Sequence, residues 1–469
     1  FPFFFFSSLS FPFFSFLFID PKNNNNPKMV SNAKTISELG ELLWNGEGNR
    51  EPSSPVSFAA TLINSSEEFC GGDVLFVHSM ANALAVDCGE GGVVMIDTGS
   101  IIFSGNVYDN VKQWRDSKGK GKVQNVVFTH HHVDHVFGVD HYENEGPVKV
   151  YAHSNLPGHF DRYDYTNGYN AHINQRQFQL GAAMFPSGFR FPDVLYDESL
   201  TLKVGNKTFE LHHGKGETDD ATWVFIPEKK ILATGDMFIW CCPNCGNPAK
   251  VQRYCKEWAV AMRQMMKLNP EYLFPGHGPP IWGADRVQRA LRETAELLES
   301  IEEQAVALMN EGKSLAEVVA GVKVPPEVLA RPYLRAVYDE PEFIVRNIWR
   351  RYGGWFDSYP PNLQPPHPPA IAKEVSSVAG GPVKLANKAT SLIGDKSNPQ
   401  NLRMARCFAE WAVLALNDAT SKKDEAFVHE VRRKVYELSK DTEMGLMSRG
   451  VYTSAMLESE RHLEAKAKL

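Results

Sequence analysis

The stretch "VVFTHHHVDHVFGVDH" sets four histidines and an aspartate within six positions, 130–135, directly after a run of strand-forming residues. His130, His132, Asp134 and His135 spell H-x-H-x-D-H. Imidazole and carboxylate suit Zn²⁺, which they bind at about 2.0–2.2 Å. At the end of a strand, residues 130 and 132 project together, and a turn lets Asp134 and His135 face a second position close by. Ligand-type groups held this close are an electrostatic liability unless a cation lies among them. His131, between two candidate ligands, is expected to point to the opposite side.

The surrounding sequence must supply a rigid frame for that loop. "VLFVHS" (74–79), "ALAVDCGEGGVVMIDTG" (83–99), "VQNVVFTH" (123–130) and "VKVYAH" (148–153) read as strands with hairpin or βα punctuation. "TLKVGNKTFELHHG" (201–214) and "ATWVFIPEKKILATGD" (221–236) each predict two strands about a turn, the second pivoting at residues 227–230. Hairpins mixed with βα units point to an α/β sandwich rather than a purely parallel sheet. After residue 285 the period becomes helical: Leu291, Leu298, Ile301, Ala305 and Leu308 recur on one face, with Asp285 and Gln288 as a capping box and Gly312 as the stop. Further helices are expected at about 314–320, 326–338, 341–352, 381–392, 400–419, 423–440 and 442–467. A proline-rich connector, "SYPPNLQPPHPPA" (358–370), is expected to separate two helical groups.

Composition narrows the function classes. The 469 residues carry a net charge of −7 and 43% hydrophobic residues, with no basic stripe of the kind that binds nucleic acid. No stretch after the N-terminus is apolar enough to span a membrane. Seven scattered cysteines do not read as a disulfide framework, so a reducing, cytoplasmic setting is expected. "CCPNC" holds a lone Cys-x-x-Cys without a second pair and is expected to be part of a loop. The Phe- and Ser-rich start, "FPFFFFSSLSFPFFSFLFIDPKNNNNPK", is expected to lie upstream of a natural start at Met29 or to be a degenerate targeting peptide.

Taken together, these motifs resemble the metallo-β-lactamase superfamily, and its other signatures follow in order. Asp97 in "VVMIDTG" matches the aspartate that orients the metal loop, Asp236 in "ILATGD" the carboxylate bridging two metals, and His277 in "FPGHGPP" the last histidine ligand. Where most members have a histidine in a "GHT" turn, "GKGETDDATWVFIP" places Glu217, which resembles the alkyl sulfatase branch. "FIVRNIWRRYGGWFDSYPPNLQP" (343–365) and "EMGLMSRGVYTSAM" (443–456) resemble that branch's dimerisation domain. The likeness runs from about residue 55 to 469 and stops short of the third, sterol-carrier-like domain of full-length alkyl sulfatases.

The resemblance implies an αββα sandwich at 51–285 and an all-α dimerisation domain at 286–469, after an N-terminal extension, 1–50, expected to be disordered. It implies two Zn²⁺ ions per subunit: one on His130, His132 and Glu217, the other on Asp134, His135 and His277, with Asp236 bridging. Asp134 and Asp236 are then also the catalytic carboxylates. A hydroxide shared by the metals would attack an alkyl sulfate or related anionic ester. The alternative is a thioester or lactone hydrolase of the same fold, as in glyoxalase II-like relatives. Loops at 164–179 and 242–254 look substrate-facing, with Asn170, Asn174, Arg176, Asn244, Asn247, Lys250 and Arg253 as anion-binding candidates. His172, His212 and His213 are expected to be structural. The implied partners are a small anionic ester and a second copy of the chain, through an aromatic cluster at Trp349, Tyr352, Trp355 and Phe356. No nucleic-acid or membrane partner is implied.

Overall fold

The computed structural model describes residues 33–47, 65–395, 398 and 400–467. The expectations for the stretch before Met29 and for residues 48–50 lie outside the described residues. Thirteen strands form two sheets among the described residues. The first runs in spatial order β1 (Ser65–Phe69), β2 (Val74–His78), β3 (Ala83–Asp87), β4 (Val93–Ile96), β5 (Val123–Val127), β6 (Lys149–His153), β7 (Val194–Tyr196). The second comprises β8 (Ser199–Val204), β9 (Lys207–His213), β10 (Thr222–Ile226), β11 (Ile231–Ile239), β12 (Tyr272–His277) and β13 (Ile281–Trp282). Pairing is parallel from β4 through β7 and between β11 and β12, and antiparallel elsewhere. The turn at 227–230 is a short 3₁₀ turn closed by Lys230 at φ 49°.

Alternation along the strands decides the layers. Val74, Phe76, Val94 and Ile96 face Phe209, Leu211, Val224, Ile226 and Phe274 between the sheets. Their neighbours Leu75, Val77, Ala85 and Met95 face outward, against Val107, Val111 and Trp114 of α2 (Ser104–Lys118). Helices α3 (Val139–Glu143) and α4 (Leu156–Tyr165) lie on the same side, and α5 (Asn167–Phe178) follows α4 in the chain. The second sheet's outer face, including Leu232 and Leu273, packs on α6 (Cys255–Lys267) and α7 (Ala284–Asn310). The result is the αββα sandwich. Each fully buried large apolar side chain contributes about 1.5–3 kcal/mol to holding it.

Residues 33–47 depart from the expectation of a disordered extension. Helix α1 (Ile36–Trp44) is capped by Thr35, whose side chain accepts from the Glu38 N–H. It inserts Ile36 between the sheets and Leu39 and Leu43 against α7. Ile36, Leu39 and Leu43, buried at helical spacing, are the signal that could have found it.

The C-terminal half is helical. It comprises α8 (Leu315–Gly321), α9 (Pro326–Leu329), α10 (Pro341–Gly353), α11 (Pro368–Ala379), α12 (Pro382–Gly394), α13 (Gln400–Leu414), α14 (Lys422–Thr442) and α15 (Leu446–Ala467). Three expectations need correcting. At the start of α7 the N-cap is Gly283, and Gln288 donates to the Met266 carbonyl instead of closing a capping box. The helix expected over 326–338 stops at Leu329, because Pro332 lacks an N–H and Tyr333 and Leu334 turn into the core instead. The connector expected over 358–370 ends early: α11 begins at Pro368, since prolines are tolerated in a first turn. Trp349 is buried against α7, while Trp355 stays 68% exposed. Arg350 and Arg351 bind Gln252 and Glu257 of their own chain, bracing the loop before α6.

Candidate metal centre

The seven expected ligands leave the sandwich at one edge. The histidine loop follows β5, Glu217 lies between β9 and β10, Asp236 is in β11, and His277 ends β12. Parallel pairing of β11 with β12, and the reversal from β9 to β10, bring these positions to a common rim. His130, His132, Glu217 and Asp236 present ligand atoms all within 4.8 Å of one another, and Asp134, His135 and His277 do the same. Asp236 joins the groups. Its Oδ1 is 3.4 Å from His135 Nε2, and its Oδ2 is 3.3 Å from His277 Nε2 and 3.7 Å from His130 Nε2.

The donor atoms are unsatisfied in a way that fits cations. His130 Nε2, His135 Nε2, Glu217 Oε2 and Asp236 Oδ1 are buried without a hydrogen-bond partner. Each such atom costs about 1–3 kcal/mol if left unpaired, and four face the same small volume. The rim opens where His277, Asp134 and His132 remain 25%, 20% and 17% exposed at the side chain, so a ligand reaches the cluster from that side.

Electrostatics at the cluster are opposed. Burial holds His130 and His132 well below the ordinary imidazole value. Burial also disfavours charge on His135, but the carboxylates of Asp236, Asp97 and Asp134 outweigh it and push His135 well above that value. His277 rises to about 9 by the same contest between burial and Asp236. Asp236 is held well below the carboxylate range by His277 and His135, against its burial. Burial lifts Glu217 to about 8, with Arg253 opposing. Cations that bind here must displace protons from His135 and His277, so metal uptake releases protons.

Neighbouring groups fix the ligands. Asp97 sits at φ 59°, a left-handed conformation that aspartate tolerates better than most residues, and accepts from the Thr129 N–H (2.8 Å), Thr129 Oγ1 (2.7 Å) and His135 Nδ1 (2.7 Å). That leaves His135 Nε2 free for the cluster. His277 Nδ1 likewise faces the Met80 carbonyl at 2.6 Å. Replacing Asp97 by Asn should loosen His135 and cost about 10–100-fold in metal affinity. Competition against a chromophoric chelator reads this directly, and unchanged affinity would refute the assignment.

Sequence reasoning missed how Glu217 is held. Arg253, 1% exposed, pairs with Glu217 Oε1 and donates to the Asn244 carbonyl, while the Asn244 amide donates to the same Glu217 oxygen. Both residues were expected to meet substrate; here they grip a carboxylate of the cluster. Asn170 of α5 donates to Oγ1 of Thr166, the residue that precedes the helix, and Asn247 donates to Met447 Sδ at 3.1 Å. Arg176 is exposed on α5, its carbonyl accepting from Gln179. Lys250 and Asn174 meet at 3.4 Å. Burial, with Arg253 and Arg162 nearby, lowers Lys250 to about 8, against the pull of Asp134 and Glu217.

His131 turns away from the cluster, stacking on His159 at 4.0 Å and bonding Asp220 with its N–H and Nδ1. Asp220 was not singled out beforehand, although it stands in the acidic run "ETDD". His212 stacks on Trp223 and His213 on His153, and His172 is exposed.

Residues 78–277 match the family model described as the metallo-beta-lactamase superfamily, and residues 314–462 match alkyl sulfatase dimerisation. A linear primary-alkylsulfatase of a Pseudomonas species is 24% identical over 407 residues, covering 81% of this chain and 74% of that protein. An (R)-specific secondary-alkylsulfatase of Pseudomonas is 27% identical over 325 residues, covering 62% of this chain and 48% of that protein. Among solved structures, the stereoselective inverting sec-alkylsulfatase Pisa1 from Pseudomonas superposes with a TM-score of 0.71 at 22% identity, covering 82% of this chain and 64% of that one. That likeness is one of fold. Metal binding is what the superfamily implies, and the donor set at this rim fits it.

Proposed function

The chain carries a metallo-beta-lactamase domain followed by an alkyl sulfatase dimerisation domain, and from that premise we propose that it hydrolyses alkyl sulfates or related anionic esters. The supporting observation is the convergence of four orphaned donor atoms at one solvent-facing rim. His130, His132 and Glu217 would hold one Zn²⁺, Asp134, His135 and His277 the other, and Asp236 would serve both. Bound there, the cations would acidify a water to a pKa near ~7 and polarise the ester. The chain's own residues prepare the site. Asp97 keeps His135 Nε2 directed inward, while Arg253 and Asn244 hold Glu217 Oε1 so that Oε2 faces the cluster. Three carboxylates and a hydroxide would offset the positive charge of two divalent ions, so an anionic ester would need a cationic side chain nearby.

Lys250 supports the anion at the approach to the site. Its pKa near 8 means the ammonium is present below that pH and lost above it. KM for a sulfate ester should therefore rise about tenfold per unit above pH 8, with kcat little changed, and Lys250→Met should flatten the rise. A KM that is level through pH 9.5 in the native protein would remove Lys250 from the substrate site.

The helical segment, 286–469, would join two copies into a homodimer, and the cysteines, all free, suit the reducing setting expected for it. Among the described residues, no helix is long and apolar enough to cross a membrane. The deciding experiment joins metal analysis of purified protein to a panel of alkyl sulfates, thioesters and lactones. Two equivalents of zinc with sulfate release is the expected result; thiol or acid release without sulfate would establish the glyoxalase II-like alternative.

A further inference from the structure

Both groups that grip Glu217 rest on the helical segment. Arg253 lies in an irregular stretch before α6, outside both sheets, so its main chain has no strand beside it. Asn347, buried on α10, takes that place. Its Oδ1 accepts from the Arg253 N–H (3.3 Å) and its Nδ2 donates to the Arg253 carbonyl (2.9 Å). Gln252 Nε2 (3.0 Å) and Arg350 Nη2 (3.2 Å) also donate to Oδ1, which fixes the orientation of the amide. Asn244 is seated by the same segment. Asp339 accepts from the N–H of Gly246, and a methyl group built on Gly246 would lie 2.1 Å from the Phe343 carbonyl carbon of α10. The Tyr254 N–H in turn donates to the carbonyl of Gly216, the residue before Glu217, at 3.0 Å.

We propose that Asn347 is a positioning residue for the metal centre, through which the segment matched to alkyl sulfatase dimerisation sets the affinity of the cation position that contains Glu217. The inference rests on the reading of Glu217 as a metal ligand. A buried main chain needs partners for its N–H and its carbonyl, and Asn347 supplies one to each. Arg253 is thereby held at its backbone, and its guanidinium stays on Glu217 Oε1 and on the Asn244 carbonyl. That leaves Glu217 Oε2, buried without a hydrogen-bond partner, to the cluster. Without Asn347 the Arg253 peptide would shift toward other partners, and the Glu217 carboxylate would follow its guanidinium. Groups that orient metal ligands from outside typically carry about 10–100-fold in metal affinity. Asn347 acts one link further out, so the lower end is expected.

The test measures zinc affinity of the full chain, stripped with chelator and titrated against a chromophoric competitor, for native protein, Asn347→Leu, Glu217→Gln and the double variant. Asn347→Leu keeps the shape of the side chain and removes both hydrogen bonds, so it should weaken one zinc position about tenfold and leave the other. In the Glu217→Gln background the same change should cost less than about twofold, because the carboxylate it orients is already gone. Asn347→Asp retains the oxygen that faces the Arg253 N–H and should lose less than Asn347→Leu; it carries the same cycle if the leucine variant fails to fold. Unchanged affinity in the Asn347 variants would overturn the proposal. So would a full tenfold loss on top of Glu217→Gln, the mark of a general packing effect. A native chain that binds no zinc would fail the reading of Glu217 as a ligand, and this inference with it, an outcome distinct from both.

Discussion

His132→Ala should remove bound metal and hydrolysis together, with kcat/KM falling at least about a thousandfold, on the order of 4 kcal/mol of transition-state stabilisation. The residue lies on the open side of the cluster, 17% exposed at the side chain, with Nδ1 3.8 Å from Glu217 Oε1. Its loss leaves one cation position with His130 and two carboxylates, a weaker and more anionic donor set. The fold should survive, because the ring packs against other ligands rather than in an apolar core. Zinc content, circular dichroism and turnover measured on one preparation separate the two effects. Full turnover with zinc still bound would sink the ligand assignment.

Gly276→Ala should be nearly as damaging, although glycine has no chemistry of its own. A methyl group built on Gly276 would lie 2.0 Å from Asp236 Oδ1 and 2.8 Å from the Gly235 carbonyl carbon. No real side chain tolerates that approach, so the Asp236 carboxylate must swing aside. Asp236 is the group within 3.7 Å of His130, His135 and His277, and displacing it disturbs both halves of the cluster at once. Metal affinity should fall about 10–100-fold and turnover at least about a hundredfold, with overpacking costing about 1–3 kcal/mol of stability. Unchanged zinc affinity would show that Asp236 does not need its observed position.

These two residues show what a sequence can and cannot disclose. The histidine loop was legible because its ligand types are adjacent, and β2 because "VLFV" is a β-prone apolar run, although its burial on both faces hides which side each residue takes. Local patterns of that kind need no knowledge of the fold. Glu217 was legible through family resemblance, but its holders were not. Arg253 is 36 residues away and Asn244 is 27, and nothing local says that their charge and amide close on Glu217 rather than on a substrate. Asp220 pins His131 across 89 residues for the same reason. The start of α11 failed differently: counting prolines over 358–370 argues for a connector, whereas their position at 368 and 369, inside a first turn, permits a helix. Helix α1 was overlooked because it sits beside a long biased stretch that drew the whole N-terminus into one expectation.

The most direct test of the central claim is a crystal structure of zinc-loaded protein with anomalous scattering recorded at the zinc edge. Two adjacent peaks should appear at the sandwich rim, one within about 2.3 Å of His130, His132 and Glu217 and the other within the same reach of Asp134, His135 and His277, with Asp236 touching both. An active crystal with no peak among those seven side chains would contradict the account.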